Sequence, residues 1–171
     1  MSLVIRAAEP DEIAMLGDIE RSAGTVFAEH GMDDVAEGGT MPPAFIVSFS
    51  RYGAALVADK DGALAGFACA ASFDVHAHLY EVSVARDFQG QGIGRRLVDA
   101  VCDWAREKGF RAVTLSTFSD VPWNGPFYET LGFRKLEQHS WTPAFHVLRA
   151  HEEDSGLDVA RRCFMKKDLQ P

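Results

Sequence analysis

Apolar and polar positions change their period several times along the chain, and each change marks a predicted element. Leu3–Ala7 is a short apolar run with β-branched residues, stopped by Glu9-Pro10, and reads as a strand. Ile13, Leu16, Ile19, Ala23 and Val26 or Phe27 then recur at helical spacing, which puts them on one face of a helix that Asp11 can cap. From Glu29 to Pro43 glycines and prolines break the period, so a loop leads to a second helix near Ala44–Arg51. Ala54–Ala58 and Ala63–Phe73 are apolar runs around Asp61-Gly62, a strong hairpin signal, and His78–Val84 completes an antiparallel meander.

The helical period returns with Ile93, Leu97, Val98, Val101, Trp104 and Ala105 and ends at Lys108-Gly109, a cation and a glycine where helix ends prefer them. Ala112–Thr117 reads as a strand, Asn124–Leu131 as a short helix stopped by Gly132, and Arg134–Trp141 and Ala160–Lys167 as the last strands. The order β-α-α-β-β-β-α-β-α-β-β is an α+β arrangement: one mixed sheet of six to seven strands flanked by about four helices, not the strict alternation of a doubly wound fold.

Composition narrows this little. A chain of 171 residues, 47% hydrophobic, with its prolines and glycines spread out, reads as a single domain over 1–171. Its formal net charge of -8 argues against general nucleic-acid binding, so any anion site must be local. Cys69, Cys102 and Cys163 fit neither a disulfide framework nor a zinc site, and no metal is expected. Without a leader pattern or a long apolar run, the expectation is a soluble cytoplasmic protein with no membrane partner.

The chemistry concentrates in Asp87-Phe88-Gln89-Gly90-Gln91-Gly92-Ile93-Gly94-Arg95-Arg96-Leu97. A strand feeding a helix through a glycine-rich turn exposes unpaired N–H groups, and a ligand can approach them without meeting a Cβ. The helix dipole adds about half a positive charge there, and Arg95 and Arg96 fall in the first turn, where cations are unfavourable for an isolated helix but make sense beside a bound anion; a solvated helix face is the alternative. The dinucleotide fingerprint from Gly90 would need glycine at Arg95, and no P-loop pattern occurs.

What remains is Gln89-x-x-Gly92-x-Gly94, followed about thirty residues on by Asn124-x-x-x-Tyr128-x-x-x-Gly132-Phe133. This pair resembles the GNAT superfamily of N-acetyltransferases. The resemblance implies a GNAT-like fold with acetyl-CoA as co-substrate, its diphosphate against Gln89, Gly90, Gln91, Gly92, Ile93, Gly94, Arg95 and Arg96. It implies pantetheine contacts from the backbone at Val82 and Val84 and from Asn124, for which a plain helix N-cap is the alternative. It gives Tyr128 the role of acid, or of hydrogen-bond donor, toward the departing thiolate; a core aromatic beside Phe127 and Phe133 is the alternative. It also puts the acidic loop Glu29–Asp34 at the acceptor wall, with a solvated charge run as the alternative, and carries a homodimer through the late strands as an expectation.

The base, where the family uses one, projects from the strand before the turn, and here His78 and Glu81 are rivals. Alternation puts His78, Tyr80 and Val82 on one side and Leu79, Glu81 and Ser83 on the other unless a bulge intervenes. His78-Leu79-Tyr80 is similar to the His-Leu-His of arylalkylamine N-acetyltransferases, with tyrosine in place of the second histidine. The expected activity is direct acetyl transfer to a small-molecule amine or amino-acid derivative. A protein N-terminus or lysine acceptor, a longer acyl donor, and a non-catalytic acyl-CoA-binding or regulatory module are the alternatives.

Overall fold

The computed structural model describes residues 2–170. Seven strands, β1 Leu3–Ala7, β2 Ala54–Lys60, β3 Ala63–Phe73, β4 His76–Val84, β5 Ala112–Phe118, β6 Arg134–Lys135 and β7 Arg162–Asp168, form one sheet in the order β1-β2-β3-β4-β5-β7-β6. The helices are α1 Ile13–Ala28, α2 Asp33–Ala36, α3 Pro43–Tyr52, α4 Ile93–Glu107, α5 Gly125–Thr130 and α6 Pro143–Asp154. The chain divides into two compact units: the chain up to Ala71 with Leu79–Trp104, and Ser72–His78 with the chain from Ala105 onward.

In the first unit β1 pairs antiparallel with β2 (Leu3 opposite Lys60, Ala7 opposite Leu56), and β2 pairs antiparallel with β3. Asp61 and Gly62 turn the hairpin at φ 52° and 87°, the left-handed pair that Asp-Gly supplies. The apolar stripe of α1 and Ile46 of α3 cover Val57, Phe67 and Cys69, so the helical period is satisfied by burial against the meander. Register slips between Ala58 and Asp59, and at Gly66 a Cβ would lie 2.6 Å from the Ser83 carbonyl. Only glycine lets β3 approach the end of β4 this closely.

In the second unit β7 pairs antiparallel with both β5 and β6. Phe145 of α6 and Trp141 pack on Phe164 of β7 with ring centroids 4.9 and 4.8 Å away. Glu152 of α6 is buried, accepting from Ser116 Oγ at 2.6 Å and Arg162 Nε at 2.7 Å. The Arg149 guanidinium lies 4.6 Å over the Phe164 ring and donates to the Val159 carbonyl at 2.8 Å.

The late chain departs from the pattern-based expectation. The strand expected over Arg134–Trp141 shrinks to two residues; after Leu136 donates to the Phe164 carbonyl, the chain turns through a 3-10 segment at Gln138–Ser140. Among the described residues six helices stand where about four were expected, because α6 fills an unassigned stretch and α2 is one turn inside the 29–43 loop. Asp11 does not cap α1, whose N-cap residue is Glu12 without a side-chain cap. β4 starts two residues early, and a 3-10 turn at Val159–Arg161 delays β7.

Candidate functional site

The glycine-rich turn leaves β4 through a 3-10 turn at Arg86–Phe88 and enters α4 at Ile93. Gly90 and Gly92 have φ of 76° and 78°, and a Cβ on either would meet nothing within 4 Å. Space is therefore open above the backbone, and left-handed geometry reserves it for glycine. Arg96 donates its N–H to the Gly92 carbonyl at 3.2 Å, while the N–H groups from Gly90 to Arg95 meet no protein acceptor among the described residues. That row of bare donors at a helix N-terminus is a ready anion site. Arg95 and Arg96 are exposed beside it; Arg95 has only a 3.9 Å contact with Asp99, and Arg96 has no carboxylate partner among the described residues. A cradle without side-chain obstruction, lined by donors and flanked by cations, fits a diphosphate.

Gln89 serves differently from its neighbours. Its carboxamide points into the protein, donating to the Val84 carbonyl at 3.0 Å and the Ala23 carbonyl at 3.4 Å, while its oxygen accepts from Arg86 at 2.9 Å. Arg86 in turn forks onto Glu29 with two 2.9 Å bonds, and its N–H donates to Ser22 Oγ. The motif's first residue is thus a strut that fastens the turn to β4 and α1. Glu29, expected to stand in an acidic acceptor wall, is committed to that fastening. Sequence reasoning missed Arg86 and Ser22, whose roles depend on α1 lying beside the turn.

On β4, Ser83 Oγ donates to Glu81 Oε1 at 2.7 Å, which agrees with alternation placing both on one side. Tyr80 is 40% exposed and its ring lies 5.0 Å from Phe49 of α3. Val82 and Val84 are half-buried. A carboxylate missed by pattern reading, Glu20 of α1, accepts the Met41 N–H at 2.7 Å, and burial pushes its pKa above the usual carboxylate range. Cys69 is buried and its thiol is pushed up to about 12, by burial first and then by the charges of Glu81 and Glu20. Such a thiol is no nucleophile at neutral pH.

In the second unit, His78 is buried at 3% exposure, its Nδ1 2.7 Å from Thr114 Oγ1 and its ring 5.0 Å from Phe73. Burial drives its pKa down to about 4. Tyr128 is half-buried on α5 with its ring edge-on to Phe127 and Phe133 at 5.2 and 5.7 Å. Its carbonyl accepts from Leu131 and Phe133, so the Gly132-Phe133 end of the motif folds back onto it. Asn124 occupies the N-cap position of α5, its carbonyl accepting the Tyr128 N–H at 3.0 Å, but its side chain makes no cap bond and its Nδ2 donates to the Trp123 carbonyl at 3.1 Å. Pro122, Trp123, Pro126, Phe127 and Thr130 line an open apolar cavity of about 480 Å³ beside them. Among the described residues no cluster could hold a metal ion, and no helix is long and apolar enough to cross a membrane.

The Acetyltransferase (GNAT) family matches residues 19–133. Over 62 residues the chain is 42% identical to the probable N-acetyltransferase camello of Xenopus laevis, covering 36% of this chain and 28% of that protein. Over 93 residues it is 38% identical to N-alpha-acetyltransferase 40 of Saccharomyces cerevisiae, covering 50% of this chain and 32% of that protein. The chain thus spans about a third of the length of these curated relatives. The crystal structure of PaiA N-acetyltransferase from Thermoplasma acidophilum in complex with coenzyme A has the same fold, with a TM-score of 0.71 at 15% identity over 99% of this chain and 100% of that one. With two thirds of its length inside the family match and the fold in common, the chain belongs to the GNAT family of acetyltransferases.

Proposed function

We propose that the chain transfers the acetyl group of acetyl-CoA directly to a primary amine of a small molecule or amino-acid derivative. The observation that carries this reading is the row of unpartnered N–H groups from Gly90 to Arg95 beneath open space, with Arg95 and Arg96 alongside. Acetyl-CoA supplies an activated thioester; the chain's own residues hold its phosphates and manage two protons.

The first proton sits on the acceptor. An alkylammonium of pKa about 10.4 is neutral in roughly one molecule in 2,500 at pH 7, a cost of about 4.6 kcal/mol. Of the two rival bases, His78 has lost the near-neutral pKa that recommended it, because burial holds it at about 4. Its ring serves the packing around Thr114 and Phe73 instead. Glu81 is a half-buried carboxyl that accepts a hydrogen bond from Ser83, which suits it to bind the ammonium and pass its proton to water. The second proton meets the departing thiolate, and Tyr128 donates toward it. A phenol of ordinary pKa near 10 is a weaker acid than a thiol near 8.5, so a hydrogen bond is worth more here than complete transfer.

A protein N-terminus is the second reading, favoured by the 38% identity to yeast N-alpha-acetyltransferase 40 over half of this chain. The test is release of free thiol from acetyl-CoA with a panel of small amines, amino acids and N-terminal peptides. Turnover with small amines supports the first reading, and turnover with peptides alone moves the acceptor to protein. Coenzyme A binding without thiol release from any of them would make the chain a binding module.

A further inference from the structure

Lys60, the last residue of β2, lies far in sequence from the glycine-rich turn, yet its Nζ donates to Gln91 Oε1 inside it and stands 6.0 Å from the Phe88 ring centroid. The two aspartates that flank Lys60 in the hairpin are engaged elsewhere. Asp59 binds Arg6 at 3.1 Å and the Gly62 N–H at 2.8 Å, and Asp61 binds the Ser2 N–H at 2.7 Å. The Lys60 ammonium has no ion pair among the described residues, and its hydrogen-bond partner among them is a neutral carboxamide.

From this we infer that Lys60 is a third phosphate-binding cation, brought by the β2–β3 hairpin to the cofactor held at the turn. The inference rests on the reading of that turn as the acetyl-CoA cradle. Coenzyme A carries a diphosphate and a 3′-phosphate monoester, about four negative charges at neutral pH. The turn answers with Arg95, Arg96 and the half charge of the α4 dipole. A lysine parked on Gln91 adds a mobile point charge with three donors on a flexible stem, a form of cation that tracks a phosphate without fixed geometry. Gln91 keeps the ammonium over the turn without neutralising it, so its charge is undiminished when a phosphate arrives.

The test is calorimetric titration of the full chain with coenzyme A, dephospho-coenzyme A and phosphate-free acetylpantetheine, for wild type, Lys60→Gln and Lys60→Arg, at low and high salt. Lys60→Gln is expected to weaken coenzyme A binding three- to tenfold at low salt, with a shallower salt dependence and an unchanged melting temperature, and Lys60→Arg to restore most of it. A penalty that disappears with dephospho-coenzyme A identifies the 3′-phosphate as the group bound; one that persists identifies the diphosphate. Equal affinity of wild type and Lys60→Gln for coenzyme A would overturn the inference while leaving the cradle intact, as would the same weakening toward acetylpantetheine. No binding of coenzyme A by the wild type would overturn cradle and lysine together.

Discussion

The Gln89 carboxamide donates to the Val84 carbonyl at 3.0 Å, binding the first residue of the glycine motif to the last residue of β4. This bond, with the Arg86 contact to the same carboxamide, holds the donors of the turn in place before any ligand arrives. Gln89→Ala removes them at a cost of about 1 kcal/mol per bond. The expected result is a several-fold rise in KM for acetyl-CoA with a smaller change in kcat, checked by steady-state kinetics beside a thermal melt.

Gly92→Ala separates conformation from space. A Cβ there meets no protein atom, so the stability cost is the left-handed φ alone, about 1–2 kcal/mol. The methyl group would project into the cradle, and coenzyme A affinity by calorimetry is expected to fall about tenfold or more, beyond what the stability change explains.

Tyr128→Phe keeps the ring packed between Phe127 and Phe133 and deletes only the hydroxyl. Melting temperature and acetyl-CoA affinity are expected to stay near wild type while kcat falls roughly a hundredfold. Loss of affinity in step with turnover would instead mark Tyr128 as a binding residue.

His78 gives a prediction with a definite sign. Its folded pKa of about 4 is below the ordinary 6.5, so between these values the unfolded chain takes a proton that the folded chain refuses. Stability is therefore lost as pH falls from 6.5 toward 4, by up to about 3 kcal/mol. Denaturant unfolding at pH 7.5 and 4.5 should show a steeper loss for wild type than for His78→Gln, by about 2–3 kcal/mol. The same burial predicts that the pH profile of kcat/KM keeps its form in His78→Gln and changes in Glu81→Gln.

Glu152 is buried with two guanidinium groups, Arg162 at 2.7 Å and Arg149 at 3.4 Å. Glu152→Ala leaves both without their counter-charge in an apolar setting and is expected to cost about 3–5 kcal/mol, read as a melting temperature about 10 °C lower.

These residues also show where pattern reading succeeds and fails. The Asp61-Gly62 hairpin, the α1 stripe and the start of α4 were legible because each is decided by local chemistry: a left-handed turn, a 3.6-residue period, a glycine-rich entry. Helix α6 was not, since one of its core positions is the carboxylate of Glu152, satisfied by arginine from β7, and the apolar period breaks there. Thr142-Pro143 at its start was the available signal. The burial of His78 was hidden because Ala77, His78 and Leu79 are all covered, and alternation cannot rank residues on a strand buried on both faces. The inward turn of Gln89 depends on Ala23, which only the folded chain brings near.

The central claim is that the amides from Gly90 to Arg95 hold the cofactor's diphosphate, and amide-resolved NMR of the labelled chain titrated with coenzyme A tests it most directly. The resonances of Gly90, Gln91, Gly92, Ile93, Gly94 and Arg95 are expected to show the largest downfield displacements and to saturate together with binding measured by calorimetry. Saturable binding that leaves those six amides unmoved would contradict it.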